Sequence, residues 1–187
     1  VRIAVIPAKG HSRRIPHKNV RTFHGKPILA YSIGTAKSSG LFDRIAVSTE
    51  DRFVEIHAGA YGAEIVQRPF KLAEIGAPDC GTQEVTRHAL LELGATDGEC
   101  CCIYPCAPML WPDDLRRGLN ELRKDRYPYV FTQGWFYWGA VQTFLEHPEL
   151  HNALMIEGPA DRWIDIDDES DWQLAEQMYA KWVGQCT

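Results

Sequence analysis

The apolar positions of this chain fall into short unbroken runs separated by longer stretches of helical spacing. Residues 1–8 are apolar at nearly every position, as in a strand buried on both faces, and the run stops at Pro7. Ile28, Leu29, Ile33 and Ala36 recur at helical spacing after Gly25-Lys26-Pro27, where proline suits a first helical turn, and Gly40 closes that helix. Residues 44–49 form a second strand. Glu50 and Asp51 open a helix reaching about Tyr61, capped by Gly62. Residues 63–66 form a third strand, and residues 70–81 show poor periodicity. Gln83 begins a helix with Val85, Ala89 and Leu90 on one face. Residues 100–104 are a fourth strand, Trp111-Pro112 starts a helix ending near Lys124, and residues 129–132 are a fifth strand. A last helix spans 170–182. This alternation predicts an α/β fold: a three-layer, doubly wound, mostly parallel sheet with right-handed crossovers.

Composition narrows the class. With 187 residues, 45% hydrophobic and 24% charged, the chain suits a single domain over 1–187 with a full core. No run is long and apolar enough to cross a membrane, no signal peptide is read before the first strand, and a cytoplasmic setting is expected. A net charge of −5 with no basic stripe argues against a nucleic-acid partner. Of the six cysteines, Cys100, Cys101 and Cys102 are adjacent on the fourth strand. Neighbouring strand residues point to opposite faces, so these thiols read as reduced core groups rather than as a metal cluster.

Two stretches carry chemistry. The loop after the first strand holds Lys9, Arg13, Arg14 and Lys18, with Gly10 and Ser12. Loops at the carboxyl ends of parallel strands are where open α/β sheets bind ligands, and a polyanion such as a nucleoside triphosphate would satisfy these cations. A solvated basic loop is the competing reading. The loop is neither a Walker A sequence nor Gly-x-Gly-x-x-Gly. The second stretch is Trp163-Ile164-Asp165-Ile166-Asp167, followed by Asp168, Glu169 and Asp171. In a strand Asp165 and Asp167 share a face, as a hard cation such as Mg²⁺ requires. The competing reading is an acidic turn that caps the last helix, a role expected of Asp168 and Glu169.

The stretch from Ile6 through Pro7-Ala8-Lys9-Gly10 and Ser12-Arg13-Arg14-Ile15-Pro16 to Lys18-Asn19 resembles the N-terminal signature of the sugar cytidylyltransferases, which make CMP-activated nine-carbon acid sugars. Gly40-Leu41-Phe42-Asp43, Val47-Ser48-Thr49-Glu50-Asp51, Tyr61-Gly62-Ala63-Glu64 and Arg68-Pro69 extend the likeness, and Gly81-Thr82 keeps part of a Thr-Gly-Thr motif. Ile103-Tyr104-Pro105-Cys106-Ala107-Pro108 and Phe136-Tyr137-Trp138-Gly139 are similar to the pseudaminic acid branch. The resemblance implies coupling of CTP to a 2-keto acid sugar of pseudaminic or sialic type, giving CMP-sugar and pyrophosphate for cell-surface glycan synthesis. It implies Mg²⁺ held by Asp165 and Asp167, with Lys18 and Arg13 completing the catalytic set. Ala8, Lys9, Gly10, Ser12, Arg13, Arg14 and Lys18 would bind the nucleotide. Asn19 and Arg68 would line the nucleoside pocket with Gly81 and Thr82 nearby, and Tyr104 stands where the family often has a base-reading Gln. The family also places an extension of several dozen residues between the fifth strand and Phe-Tyr-Trp-Gly, which holds the sugar and builds a homodimer. Here Thr132-Gln133-Gly134 runs almost straight into that motif, so the chain is expected to lack the extension or to be given without it. A catalytically silent nucleotide-binding or assembly protein is therefore the alternative.

Overall fold

The structure, a computed structural model, describes residues 1–12, 14–72, 81–147 and 152–185. Arg13, Cys80 and Cys186 lie outside the described residues.

Among the described residues, nine strands and six α-helices follow one another along the chain. The first half runs β1 (Arg2–Pro7), β2 (Thr22–Phe23), β3 (Lys26–Pro27), α1 (Leu29–Ser39), β4 (Arg44–Thr49), α2 (Arg52–Ala60), β5 (Glu64–Gln67) and α3 (Thr82–Glu92). The second half runs β6 (Glu99–Ile103), α4 (Pro112–Leu122), β7 (Tyr129–Thr132), β8 (Phe136–Ala140), α5 (Val141–Glu146), β9 (Leu154–Met155) and α6 (Glu169–Gln185). Seven strands form one sheet in the order β5-β4-β1-β6-β8-β7-β9. The pairs β5/β4, β4/β1, β1/β6 and β7/β9 are parallel, whereas β8 runs antiparallel to both β6 and β7. The expected mostly parallel, doubly wound sheet is what forms.

Alternation along the strands divides the core. Ala4, Ile6, Val47 and Cys101 pack on one face with residues of α1, α2, α4 and α6. Ile3, Val5, Ala46, Cys100 and Cys102 pack on the other with residues of α3 and α5. The three adjacent cysteines thus split between faces, all fully buried, and burial raises each thiol pKa. After β1 the chain moves outward through β4 to β5, then crosses back beneath α3 to β6 on the other side of β1. The order reverses between β1 and β6, and the crevice outside their carboxyl ends is the topological switch point where such sheets take ligands.

Two expectations are corrected, and a strand that the sequence pattern did not mark joins the sheet. Gly25-Lys26-Pro27 does not open a helix. His24 and Gly25, with φ of 41° and 89°, make the two-residue turn of the β2–β3 hairpin, and α1 starts at Leu29. Phe136–Ala140 is a strand, inserted between β6 and β7 by a turn of only Gln133, Gly134 and Trp135, in which Trp135 N–H donates to the Thr132 carbonyl at 3.1 Å. Residues 163–167 are irregular rather than a strand, although Ile164 and Ile166 still face the core.

Candidate active site

The loop leaving β1 is held by partners that reach across the switch point. Ala8 N–H donates to the Ser48 carbonyl at 2.9 Å, which carries the chain one step past the strand. Gly10 N–H donates to Glu50 Oε1 at 2.7 Å. Glu50 in turn takes two hydrogen bonds from Arg68, from Nη2 at 2.5 Å and Nε at 3.1 Å. The side chains of Arg68 and Glu50 are only 3% and 5% exposed, so this is a buried ion pair whose spare oxygen fixes the loop. A Cβ on Gly10 would overlap the Asp51 carboxylate, which caps α2 by accepting from Phe53 and Val54 N–H. Glycine is therefore required here by the close approach of a neighbouring acid.

Further along, Ser12 Oγ accepts from Ile15 N–H at 3.3 Å, a local turn that buries Ile15. Asn19 is buried and bridges two loops. Its Nδ2 donates to the Lys9 carbonyl at 2.7 Å, and its Oδ1 accepts from the Cys106 thiol at 3.2 Å. The loop after β1 is thereby tied to the loop after β6. That second loop is fastened to α1, where Ser32 Oγ donates to the Tyr104 carbonyl at 2.7 Å and Thr35 Oγ1 to the Leu110 carbonyl at 2.8 Å.

The acidic stretch arrives from the far end of the chain. Arg162 places it, donating to Asp114 at 2.7 and 2.9 Å and to the Met109 carbonyl at 2.7 Å, with its guanidinium over the Trp111 ring. Ile164 and Ile166 enter the core, so the alternate residues Asp165 and Asp167 turn outward. Asp168 caps α6, accepting from Ser170 N–H at 2.9 Å and Asp171 N–H at 3.1 Å. Asp171 returns the contact by accepting from Asp167 and Asp168 N–H at 2.8 and 3.0 Å, so it holds the backbone of the acidic pair. Asp168 therefore caps as expected, but Glu169 does not: it pairs with Arg21 at 2.6 and 2.7 Å, and that guanidinium covers the Trp172 ring at 4.3 Å.

The two stretches meet. Arg14 Nη2 donates to Asp167 Oδ1 at 2.7 Å, and Lys18 Nζ donates to the Ile166 carbonyl between the two aspartates. Burial and the neighbouring Asp167 charge raise the Asp165 pKa, while Lys18 and Arg14 oppose that rise. Burial, then Lys18 and Arg68, lower that of Lys9. The Cys106 thiol beside this cluster is pushed up by burial to about 11. Among the described residues no three His, Cys, Asp or Glu side chains converge on one metal position. Two outward carboxylates, one half-buried and with its pKa raised by that burial and by its like-charged neighbour, are a donor set that suits a hard divalent cation whose remaining ligands come from elsewhere.

A second polar cluster lies where the carboxyl end of β6 meets the amino end of the antiparallel β8. The Tyr104 hydroxyl stands 3.1 Å from that of Tyr137 and 3.4 Å from Thr82 Oγ1. Burial raises both phenol pKa values, so the hydroxyls stay protonated and able to donate. Gly81 precedes α3 as its N-cap and gives no side-chain cap.

The site thus gathers Lys9, Gly10, Ser12, Arg14 and Lys18 with Asp165 and Asp167. Thr82 and Tyr104 join through Tyr137, whose pKa also feels the Asp165 charge. Arg68 and Asn19 are engaged with Glu50 and with Lys9 and Cys106 respectively. Sequence reasoning missed Glu50, Tyr137, Arg162 and the role of Asp171. Glu50 lies inside Val47-Ser48-Thr49-Glu50-Asp51 and Tyr137 inside Phe136-Tyr137-Trp138-Gly139, so both were marked as motif positions without a role.

A family model described as "Cytidylyltransferase" matches residues 3–136. The pseudaminic acid cytidylyltransferase of Campylobacter jejuni (serotype O:2) is 31% identical over 133 residues, covering 69% of this chain and 56% of that protein. The chain therefore spans little more than half the length of that relative. A CMP:2-keto-3-deoxy-manno-octonic acid synthetase solved with CTP superposes with a TM-score of 0.77 at 15% identity, covering 96% of this chain and 98% of the other. A Mycobacterium tuberculosis protein solved with manganese gives a TM-score of 0.64 at 17% identity, over 94% of this chain and 98% of the other.

Proposed function

Since the chain belongs to the cytidylyltransferase family, we propose that it couples CTP to a nine-carbon 2-keto acid sugar of pseudaminic or sialic type, releasing CMP-sugar and pyrophosphate. The observation that carries this reading is the meeting of Arg14 and Lys18 with the Asp165–Asp167 segment, some 150 residues away, over the switch point. Cations for a triphosphate and carboxylates for a hard metal are the two halves of a nucleotidyl-transfer site, and the fold brings them to one place.

In this reading Lys9, Arg14 and Lys18 bind the triphosphate, with Arg13 beside them in sequence. Ser12 and the Glu50-held backbone of Gly10 set the loop's shape. Thr82, Tyr104 and Tyr137 offer three hydroxyls to the nucleoside. Asp165 and Asp167 would hold a divalent cation such as Mg²⁺, which would supply charge neutralisation for the phosphates and acidify a nearby hydroxyl. The anomeric oxygen attacks the α-phosphorus in line, its proton passes to solvent water, and the bond to the bridging oxygen breaks, its electron pair leaving with pyrophosphate. Positioning and neutralisation by these side chains account for the rate, as phosphoryl transfer needs little covalent help. The manganese held by one structural relative and the CTP held by another are in keeping with this assignment.

The short β7–β8 turn favours a second reading. Only Gln133, Gly134 and Trp135 separate these strands, at the point where the resemblance implies an extension that holds the sugar and builds a dimer, and a silent nucleotide-binding protein would need none. The experiment is thermal shift with CTP, ATP and GTP, followed by pyrophosphate release from CTP and an acid sugar with Mg²⁺. Selective stabilisation by CTP and release of pyrophosphate are expected. Equal stabilisation by a purine nucleotide would end the pyrimidine assignment, and CTP binding without pyrophosphate would favour the silent protein.

A further inference from the structure

We infer that Arg14 is a placeholder cation: without ligands it occupies the Asp167 carboxylate, and loading of metal and nucleotide exchanges that contact for one with phosphate. The inference rests on the nucleotidyltransferase reading above and adds to it a coupling between the two sites.

The contacts of the loop cations differ in kind. Arg21 is locked, with two hydrogen bonds to Glu169 and a tryptophan ring beneath its guanidinium. Lys18 rests on a neutral backbone carbonyl. Arg14 makes a single-point contact, one nitrogen to one oxygen at 2.7 Å, with 62% of its side chain and 50% of that of Asp167 exposed. Exposed pairs of this kind are worth little and exchange readily. The contact joins the two groups that the proposed reaction needs apart. While it stands, Asp167 Oδ1 is blocked for a cation, and Arg14 Nη2 and part of the guanidinium charge are withheld from a phosphate. A metal that takes Asp167 frees Arg14 for the nucleotide, and a nucleotide that takes Arg14 frees Asp167 for the metal. Each ligand then removes a cost that the other would meet, which is positive coupling between sites.

The test measures binding, not turnover. Mn²⁺ binding without nucleotide is followed by electron paramagnetic resonance for wild type, Arg14→Gln and Arg21→Gln. CTP binding in EDTA is followed by calorimetry for wild type, Asp167→Asn and Glu169→Gln. Arg14→Gln should tighten Mn²⁺ about two- to fivefold, the value of one exposed pair. Asp167→Asn should tighten metal-free CTP by a similar factor. Arg21→Gln and Glu169→Gln make the same charge changes in the neighbouring pair and should have smaller effects. Equal effects from both pairs would show long-range charge alone and overturn the inference, as would unchanged or weaker CTP binding by Asp167→Asn. Wild-type protein that binds neither Mn²⁺ nor CTP would overturn the nucleotidyltransferase reading, and the inference with it.

Discussion

Arg68→Ala tests how the loop after β1 is held. The Arg68 and Glu50 side chains are 3% and 5% exposed, and among the described residues the remaining hydrogen-bond donor to Glu50 is the Gly10 N–H at 2.7 Å, with the Lys9 charge acting on it from farther off. Removing the arginine leaves a buried carboxylate with one neutral donor and no paired cation, only the Lys9 charge nearby. Breaking a buried ion pair from one side costs about 3–5 kcal/mol. In a chain of this size each kcal/mol moves the Tm by about 2–4 °C, so a fall of about 6–20 °C is expected. Replacing both partners by apolar groups, as in Arg68→Met with Glu50→Leu, should recover most of that stability, because no charge is left buried. It should not recover CTP affinity, because the buried Gly10 N–H has lost its acceptor and the loop its shape. Urea unfolding followed by tryptophan fluorescence gives the first quantity, and calorimetric CTP titration the second. Arg68→Ala within about 1 kcal/mol of wild type would refute the reasoning, since that is below any cost expected for an orphaned buried charge. A double variant that binds CTP like wild type would refute the link from Glu50 to the loop. Loss of CTP binding with unchanged stability would instead give Arg68 a direct place at the nucleoside.

Asp165→Asn and Asp167→Asn should each lower kcat about a hundredfold or more, with a smaller effect on nucleotide affinity, measured as pyrophosphate release across a Mg²⁺ titration. Asp171→Ala should cost about 1 kcal/mol of stability and raise the Mg²⁺ needed for half-maximal rate, because the Asp167 and Asp168 N–H groups lose their acceptor. Asp171→Asn, which keeps a carbonyl oxygen, should restore most of both. Alkaline stability should be poor. Burial raises the thiol pKa of Cys100, Cys101 and Cys102, the last to about 12, so above the free-thiol value of about 8.5 the unfolded chain loses protons that the folded one keeps. The folded state then binds more protons, and each thiol reduces the folding constant close to tenfold per pH unit from about pH 9 upward. Urea midpoints at pH 8 and pH 10 check this, and Cys101→Ala should flatten the slope even as it lowers the midpoint.

The elements legible in the sequence are those whose burial is local. The run through β1, the helical spacing of α1 and α3, and Gly40 and Gly62 with φ of 62° and 74° all stand where the pattern put them. β8 was not legible as a strand because Phe136-Tyr137-Trp138-Gly139-Ala140 holds no charged or strongly polar residue to mark an alternation, and its partners lie on either side of it only after the chain doubles back. Pro27 misled because proline is as acceptable at the end of a short hairpin as in a first helical turn. In the site, the residue types with one plausible partner chemistry were visible: loop cations for an anion, paired aspartates for a cation. Their supports were not. The Glu50–Arg68 and Asp114–Arg162 pairs join residues 18 and 48 positions apart, and no local pattern distinguishes either from a surface charge.

The family match ends at residue 136, so the two aspartates proposed as metal ligands lie beyond it. Their place in the site rests on docking of the C-terminal segment, and that docking is overdetermined. Arg162 joins it to α4 and the loop after β6, Trp135 Nε1 donates to the Ile164 carbonyl at 3.2 Å, and Arg21 and Lys18 hold its far end. These contacts use different chemistries and different parent elements, so no single substitution among them releases the segment. A Cβ on Gly134 would overlap Asp165, so the turn that closes β7–β8 has no side chain where the carboxylate sits. Gly134 also has a φ of 70°, which glycine adopts at little cost. The same residue therefore permits the tight hairpin and leaves room for Asp165. The compact β7–β8 connection and the acidic segment are in this way parts of one arrangement: a side chain at position 134 would disturb both the hairpin and the carboxylate it lets in.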